Sequence, residues 1–152
     1  MAITTISQLM IPRIVAGSGL PSFANMTLNA SGDKVAYVIA APKAGDIEAV
    51  GFRVGTVGNN PDNGVRVSLQ TVDLATGSAN GTQSQFRDHT SALSSNTWIE
   101  TGRITSDGTD TGTRRTVAHG ELFAIDFDFV SFVASDSFQI SNLSIPTGTY
   151  SQ

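Results

Sequence analysis

The chain has 152 residues, of which 39% are hydrophobic and 14% are charged, and it contains no cysteine. This length is sufficient for one domain with a sizeable core, and the lack of cysteine excludes disulfides, thiolate metal ligands and a cysteine nucleophile. The formal net charge of −4 gives no electrostatic basis for binding nucleic acid. No apolar run approaches the roughly 18 residues of a membrane span, so we expect neither nucleic acid nor a membrane as a partner.

Residues 1–32 differ in composition from the rest of the chain, because Arg13 is their only charged side chain and aliphatic residues are frequent. An aliphatic segment exposed to water would promote aggregation, and disordered segments are usually charged. We therefore predict an extended N-terminal arm that packs against a neighbouring subunit; packing on its own domain and disorder are the alternatives. The predicted partner-binding residues lie along this arm: Ile3, Ile6, Leu9, Met10, Ile11, Ile14, Val15 and Leu20.

The start of the chain lacks the pattern of a signal peptide, which has a basic beginning and an unbroken apolar run of roughly 7–15 residues. Residues 1–5 contain no lysine or arginine, and Pro12 and Arg13 interrupt the apolar stretch. We therefore expect no cleaved export signal. Ile3, Ile6 and Met10 also have the spacing of one face of a short amphipathic helix, but the glycines and prolines that follow favour an extended segment.

Residues 33–152 show period-two hydrophobic patterns separated by turn clusters, and no pattern of a helix of three or more turns. Seven or eight short strands with Gly, Asn and Asp turns are typical of an antiparallel β-sandwich, either a jelly roll or a related Greek key. We predict this all-β fold for a single domain at 33–152, with the polar stretch 73–96 as a long loop. The clearest strands are 34–41, 47–57, 65–72, 98–104, 121–129 and 137–143.

Alternation along these strands assigns side chains to the two faces of each sheet. It predicts that Arg66, Ser68 and Gln70 point outward, and that Asp126 and Asp128 lie opposite the phenylalanines of their strand. The expected core residues are Val50, Phe52, Val54, Val65, Val67, Leu69, Phe123, Ile125, Phe127 and Phe129.

Asp126 and Asp128 lie two residues apart on one strand face, so their carboxylates are candidates for the acid pair of a glycoside hydrolase. The simpler interpretation is a solvated outer face, or a pair that accepts hydrogen bonds from Arg114 and Arg115. The two histidines of the chain have no catalytic partners that the linear pattern identifies. We favour the simpler interpretation and expect that the protein is not an enzyme.

The turn clusters 59–63 and 107–112 contain oxygen ligands of the kind that Ca²⁺ binds, but turn propensity alone explains both clusters. We therefore expect no metal and no other cofactor. Trp98, the single tryptophan, alternates with Glu100 in its strand. A sugar-binding platform requires an exposed aromatic ring, whereas we expect a lone tryptophan in a sandwich to belong to the core.

Residues 46–125 combine a Gly-Phe-Arg-hydrophobic strand at 51–54, a strand that leads into Asp73-x-x-Thr76-Gly77, a Gly81-Thr82 pair, and Gly120-Glu121 followed by a hydrophobic strand. This combination resembles a β-sandwich module of structural proteins in tailed-phage virions. Its elements are turn and core signatures and bring no catalytic residues.

The resemblance implies a capsid decoration, head-fibre or tail-fibre role, commonly as a trimer. We expect a capsid decoration (cement) protein that stabilises the phage head through contacts of its arm. Its partners are then other copies in a homotrimer and the major capsid protein or other virion proteins, and its location is the virion, assembled in the host cytoplasm. The alternative is a carbohydrate-binding or adhesin module of a phage fibre or a cell-surface protein.

Overall fold

The computed structural model describes residues 8–10 and 26–144, and these residues confirm the predicted all-β fold. They contain no helix, and their strands are β1 (Gln8–Met10), β2 (Met26–Leu28), β3 (Val35–Ala40), β4 (Gly45–Ile47), β5 (Gly51–Asn59), β6 (Val65–Asp73), β7 (Ser78–His89), β8 (Trp98–Glu100), β9 (Arg115–Val117), β10 (Leu122–Phe129) and β11 (Ser137–Ser144).

The strands form two main sheets and a short ribbon. The larger sheet has the order β1-β3-β10-β6-β7, the second has the order β2-β11-β5-β8, and β4 pairs with β9. The pairs are antiparallel except for β1 and β3, which run parallel. Apart from the β6–β7 hairpin, strands that follow one another in sequence lie in different sheets. Such crossing connections are those of a Greek-key sandwich.

Aromatic contacts hold the two sheets together. The ring of Phe127 in β10 meets Phe52 of β5 at a centroid distance of 5.2 Å, and Phe129 meets Phe138 of β11 at 5.4 Å. Since β10 belongs to one sheet and β5 and β11 to the other, these edge-to-face pairs cross the interior. The predicted core is confirmed, with Phe129 partly buried and these residues fully buried: Val50, Phe52, Val54, Val65, Val67, Leu69, Phe123, Ile125 and Phe127.

Strand β7 is the largest departure from the expected fold, because residues 78–89 were predicted to be part of a long loop. Phe86 is its only large hydrophobic residue, so the sequence shows no period-two pattern. β7 is an edge strand that pairs with β6 and has one isolated bridge, between Phe86 and Thr105. An edge strand needs no continuous apolar face, since backbone pairing holds it in place.

Residues 26–28, which were predicted to lie in the N-terminal arm, form strand β2 of the sandwich. β2 pairs with β11, and the side chain of Leu28 is fully buried. Composition does not mark this strand, because it continues the uncharged stretch that precedes it. The sheets therefore include residues on the N-terminal side of position 33.

Candidate functional site

Two of the predicted partner-binding residues, Leu9 and Met10, lie in strand β1. This strand is the outermost one of the larger sheet, with Leu9 opposite Val38 and Met10 opposite Ile39. A piece of the predicted arm is therefore paired with a sheet of its own domain. The remaining predicted residues lie outside the described residues: Ile3, Ile6, Ile11, Ile14, Val15 and Leu20.

The side of β3 that faces away from β10 pairs with an added extended strand. On one side β3 pairs with β10 from Val35 to Ala40, and on the other side it pairs with the three residues of β1. Backbone hydrogen bonds provide this attachment, so the edge places little demand on the side chains of the added strand. If fully extended, residues 11–25 would span about 50 Å, which is long enough to place β1 on this edge or on that of a neighbouring molecule.

A second feature is a polar cluster on the outer face of the larger sheet, built around Asp126 of β10. Oδ2 of Asp126 accepts a hydrogen bond from Nε2 of Gln70 at 2.9 Å and lies 3.9 Å from Nζ of Lys34. Oδ2 of Asp128 lies 2.9 Å from the same ammonium group. The two carboxylates therefore share one lysine, which limits the repulsion between them.

The expectation of a solvated outer face is wrong for this cluster, because Asp126 is only 1% exposed and Ser68 and Gln70 are also buried. Strand β7 covers these side chains. The backbone N–H of Gly81 in β7 donates a hydrogen bond to Oε1 of Gln70 at 2.9 Å. The β6–β7 pairing shifts register on both sides of Gln70. Such irregularities increase local twist, and the alternation of polar residues along β6 does not reveal them.

Burial is the main cause of the raised pKa of Asp126, and the carboxylate of Asp128 adds to it. Lys34 acts in the opposite direction, because its positive charge favours the ionised carboxyl group. A buried carboxylate requires hydrogen-bond donors and an opposite charge. Gln70 and Lys34 supply these from within the chain.

The predicted pairing of the aspartates with Arg114 and Arg115 is wrong. Arg114 instead lies 3.2 Å from Asp46 and also pairs with Glu48, while Arg115 lies 3.0 Å from Glu121. These ion pairs lie at the β4–β9 ribbon, because Arg115 is the first residue of β9 and Arg114 directly precedes it. The backbone N–H of Ala118 and Arg115 both lower the pKa of Glu121.

A cleft of 370 Å³ opens beside the polar cluster. It has the buried carboxyl of Asp126 and the ammonium of Lys34 among its polar groups, and alanine methyl groups among its apolar ones. A buried carboxyl of raised pKa in a cleft is a feature that acid–base sites share with structural ion pairs. The lining residues are Lys34, Ala36, Gln70, Ala79, Asn80, Gly81 and Asp126.

Trp98 is 46% exposed, so the expectation that it belongs to the core is wrong. It lies on the edge strand β8, opposite Arg53 of β5. Because side chains alternate along a strand, the partly buried Ile99 turns toward the core and its neighbours Trp98 and Glu100 face outward. Tyr37, in contrast to Trp98, is buried, and this burial raises the pKa of its hydroxyl to about 12.

The oxygens of the two turn clusters are engaged in hydrogen bonds within the chain. Oδ1 of Asp107 accepts hydrogen bonds from the backbone N–H and the hydroxyl of Thr109, and Asp110 accepts one from Arg87. The side chain of Asn60 exchanges two hydrogen bonds with the backbone of Leu93. Within residues 8–10 and 26–144, no group of three or more His, Asp or Glu side chains is placed to hold a metal ion.

The histidines lie in different settings. His89 ends β7, where burial lowers its pKa, and His119 is exposed in the turn before β10.

In the part of the chain that the structure describes, no helix has the length and apolarity needed to cross a membrane. No protein-family model, curated protein or solved structure matches this chain.

Proposed function

We propose that this protein is a virion structural protein, a capsid decoration (cement) protein of a tailed phage whose N-terminal arm joins neighbouring copies. The observation that carries the proposal is the parallel pairing of the outermost strand β1 with β3. A three-residue strand held by backbone hydrogen bonds is exchangeable, because the same strand from another copy forms the same bonds. Exchange of an identical element between protomers is a low-cost route to an oligomer.

The composition of residues 1–32 supports exchange between copies. These residues combine many large aliphatic side chains with one charge, and such a segment gains about 25 cal/mol for each Å² of apolar surface that it buries on a neighbour. If each copy donates its arm to the next, the contacts are head-to-tail, and they form a ring when the rotation between copies closes. Three copies in such a ring give the homotrimer that the resemblance to phage proteins implies.

A disulfide between β1 and β3 tests the exchange. Met10 and Ile39 are register partners, and adjacent strands lie about 4.8 Å apart, within the range that a disulfide bridges. The chain has no other cysteine, so Met10→Cys with Ile39→Cys forms one defined bond per arm. We expect a covalent trimer on a non-reducing gel that becomes a monomer on reduction.

Each single cysteine variant is the matched control, and neither is expected to give a covalent trimer. A double variant that stays a single chain on the gel and a monomer in light scattering would show that each arm pairs within its own copy. That result would overturn the exchange.

Deletion of residues 1–25 is the complementary test, because it removes the arm and keeps β2. We expect a folded monomer with an unchanged far-ultraviolet circular dichroism spectrum. A cement role further requires the full-length oligomer to co-sediment with shells of the major capsid protein from the same genome, and the deletion variant to remain in the supernatant. Co-sedimentation of the deletion variant would contradict a binding role of the arm.

A further inference from the structure

Trp98 differs from the other exposed apolar side chains of the described chain. The exposed large hydrophobic residues there are Leu74, Trp98 and Val133. Leu74 lies in the β6–β7 turn and Val133 in the loop before β11, whereas Trp98 is part of strand β8. A strand fixes the face of the sheet from which a side chain projects, so Trp98 presents its aromatic ring to solvent on the outer face of the smaller sheet.

The neighbour of this ring across the sheet is a guanidinium group. Arg53 is the register partner of Trp98, and directly opposed residues of antiparallel strands share a face of the sheet. Nη2 of Arg53 donates a hydrogen bond to Oδ1 of Asn96 at 3.3 Å, which orients the group. A guanidinium has five N–H donors, so donors remain for a ligand.

Strand β11 continues this outer face with the amide group of Gln139. A Cβ atom at Gly55 would lie 3.2 Å from Cβ of Gln139 and 3.6 Å from Cβ of Ser141, so both side chains lie across this glycine. Ser141 is itself buried, and its hydroxyl donates to the backbone carbonyl of Arg53 at 3.2 Å. Nε2 of Gln139 donates to Oγ1 of Thr27 in β2 at 3.0 Å. The four strands therefore present one surface, with an indole at one edge, a guanidinium beside it and neutral polar groups on β11 and β2.

We propose that this surface, formed by Trp98, Arg53, Gln139 and Thr27, binds a neutral oligosaccharide. The C–H face of a sugar ring stacks on an indole, and its hydroxyls accept hydrogen bonds from the guanidinium and exchange them with amide and hydroxyl groups. Four strands span about 14 Å, which suits several linked sugar rings better than one.

The charge of this surface favours a neutral oligosaccharide over charged polymers such as nucleic acid. Arg53 and the exposed Glu100 carry opposite charges at the same edge of the sheet, so the surface has no net charge to select an ion. The net charge of −4 repels nucleic acid. The proposed site lies on the smaller sheet, away from the β3 edge that β1 occupies, and it does not depend on the exchange of arms.

Fluorescence titration of the full-length protein tests the site, because Trp98 is the only tryptophan. The probes are hexasaccharides of β-1,4-glucose, β-1,3-glucose, α-1,4-glucose and β-1,4-N-acetylglucosamine. We expect a saturable change of emission with at least one of these probes. In calorimetry with that probe, Trp98→Ala reduces the affinity about tenfold or more, and Trp98→Phe recovers part of the loss.

The control variant is Leu74→Ala, which removes another exposed apolar side chain and leaves the affinity unchanged. Circular dichroism melting of Trp98→Ala checks that the exposed position can change without unfolding the sandwich. The proposal is overturned if none of the four hexasaccharides binds, or if Trp98→Ala retains full affinity in calorimetry. It is also overturned if acidic sugars, nucleic acid or a protein bind through Trp98 and the neutral sugars do not.

Discussion

Nε2 of Gln70 lies 2.9 Å from Oδ2 of Asp126, so strand β6 donates a hydrogen bond directly to a carboxylate that is buried on the neighbouring strand β10. Hydrogen bonds to a charged acceptor are about twice as strong as neutral ones, and this bond offsets part of the desolvation of the carboxylate. Burial nevertheless raises the pKa of Asp126, so desolvation outweighs the favourable contacts. The ionised carboxylate therefore costs stability at neutral pH, and the fold tolerates this cost.

Asp126→Asn is expected to remove a pH-dependent component of stability. The folded pKa of Asp126 lies above its ordinary value of 3.8, so between these two values the folded state binds the proton more tightly than the unfolded state. The free energy of unfolding then falls as pH rises through this window. Relative to Asp126→Asn, the unsubstituted protein should therefore gain stability as pH is lowered from 7 to 4, measured by urea unfolding.

The comparison with the variant isolates this residue, because other carboxyl groups titrate in both proteins. The lowered pKa values of Glu48 and Glu121 give the opposite slope, and their contributions cancel in the difference. A stability difference that is constant from pH 7 to pH 4 would contradict the assignment of a raised pKa to Asp126.

Lys34→Met is expected to destabilise the fold at pH 7. Nζ of Lys34 lies 2.9 Å from Asp128 and 3.9 Å from Asp126, and its loss leaves two carboxylates facing one another. Because the lysine side chain is 45% exposed, solvent screens part of the effect, and we expect a loss of about 1–2 kcal/mol. The loss should shrink at pH 4 as Asp126 takes up a proton, and urea unfolding at both pH values measures it.

The parts of the fold that the sequence predicts are those in which alternation and burial coincide. Phe123, Ile125 and Phe127 follow period two in a strand between two others, so their pattern predicts both the strand and the buried face. Strand β7 has no such pattern, because an edge strand is stabilised by backbone pairing with β6. The register irregularities beside Gln70 and the contacts of β7 with Gln70 and Asp126 depend on pairing between separate segments of the chain.

The candidate sugar-binding surface is likewise not predictable from local sequence patterns. The sequence predicted Trp98 as a core residue rather than a platform, because its exposure depends on the position of β8 at the edge of a sheet. The sequence does not indicate that Arg53 and Gln139 belong to this surface, because β5 and β11 become neighbours only through the crossing connections of the sandwich. Local patterns predict the face of a side chain within its strand, whereas its neighbours across the sheet follow from the topology.

Two glycines with positive φ provide a matched test of the loop geometry. Gly77 has φ +68° and no atom within 4 Å of an added Cβ, whereas Gly64 has φ +88° and its Cβ would lie 2.4 Å from the carbonyl oxygen of His89. Gly77→Ala should therefore cost only the conformational strain, about 1 kcal/mol. Gly64→Ala adds a clash with the backbone at the end of β7 and should cost at least about 2 kcal/mol more.

Urea unfolding of the two alanine variants at the same pH gives this comparison directly. Because the neighbour at Gly64 is backbone, no side chain can rotate away to relieve the contact, and β6 and β7 must separate near Val65 and His89, which are register partners. Amide exchange in Gly64→Ala should therefore accelerate at that end of the hairpin and remain slow near Leu69. Equal destabilisation by the two substitutions would mean that the backbone at Gly64 does not approach His89 as closely as the structure places it.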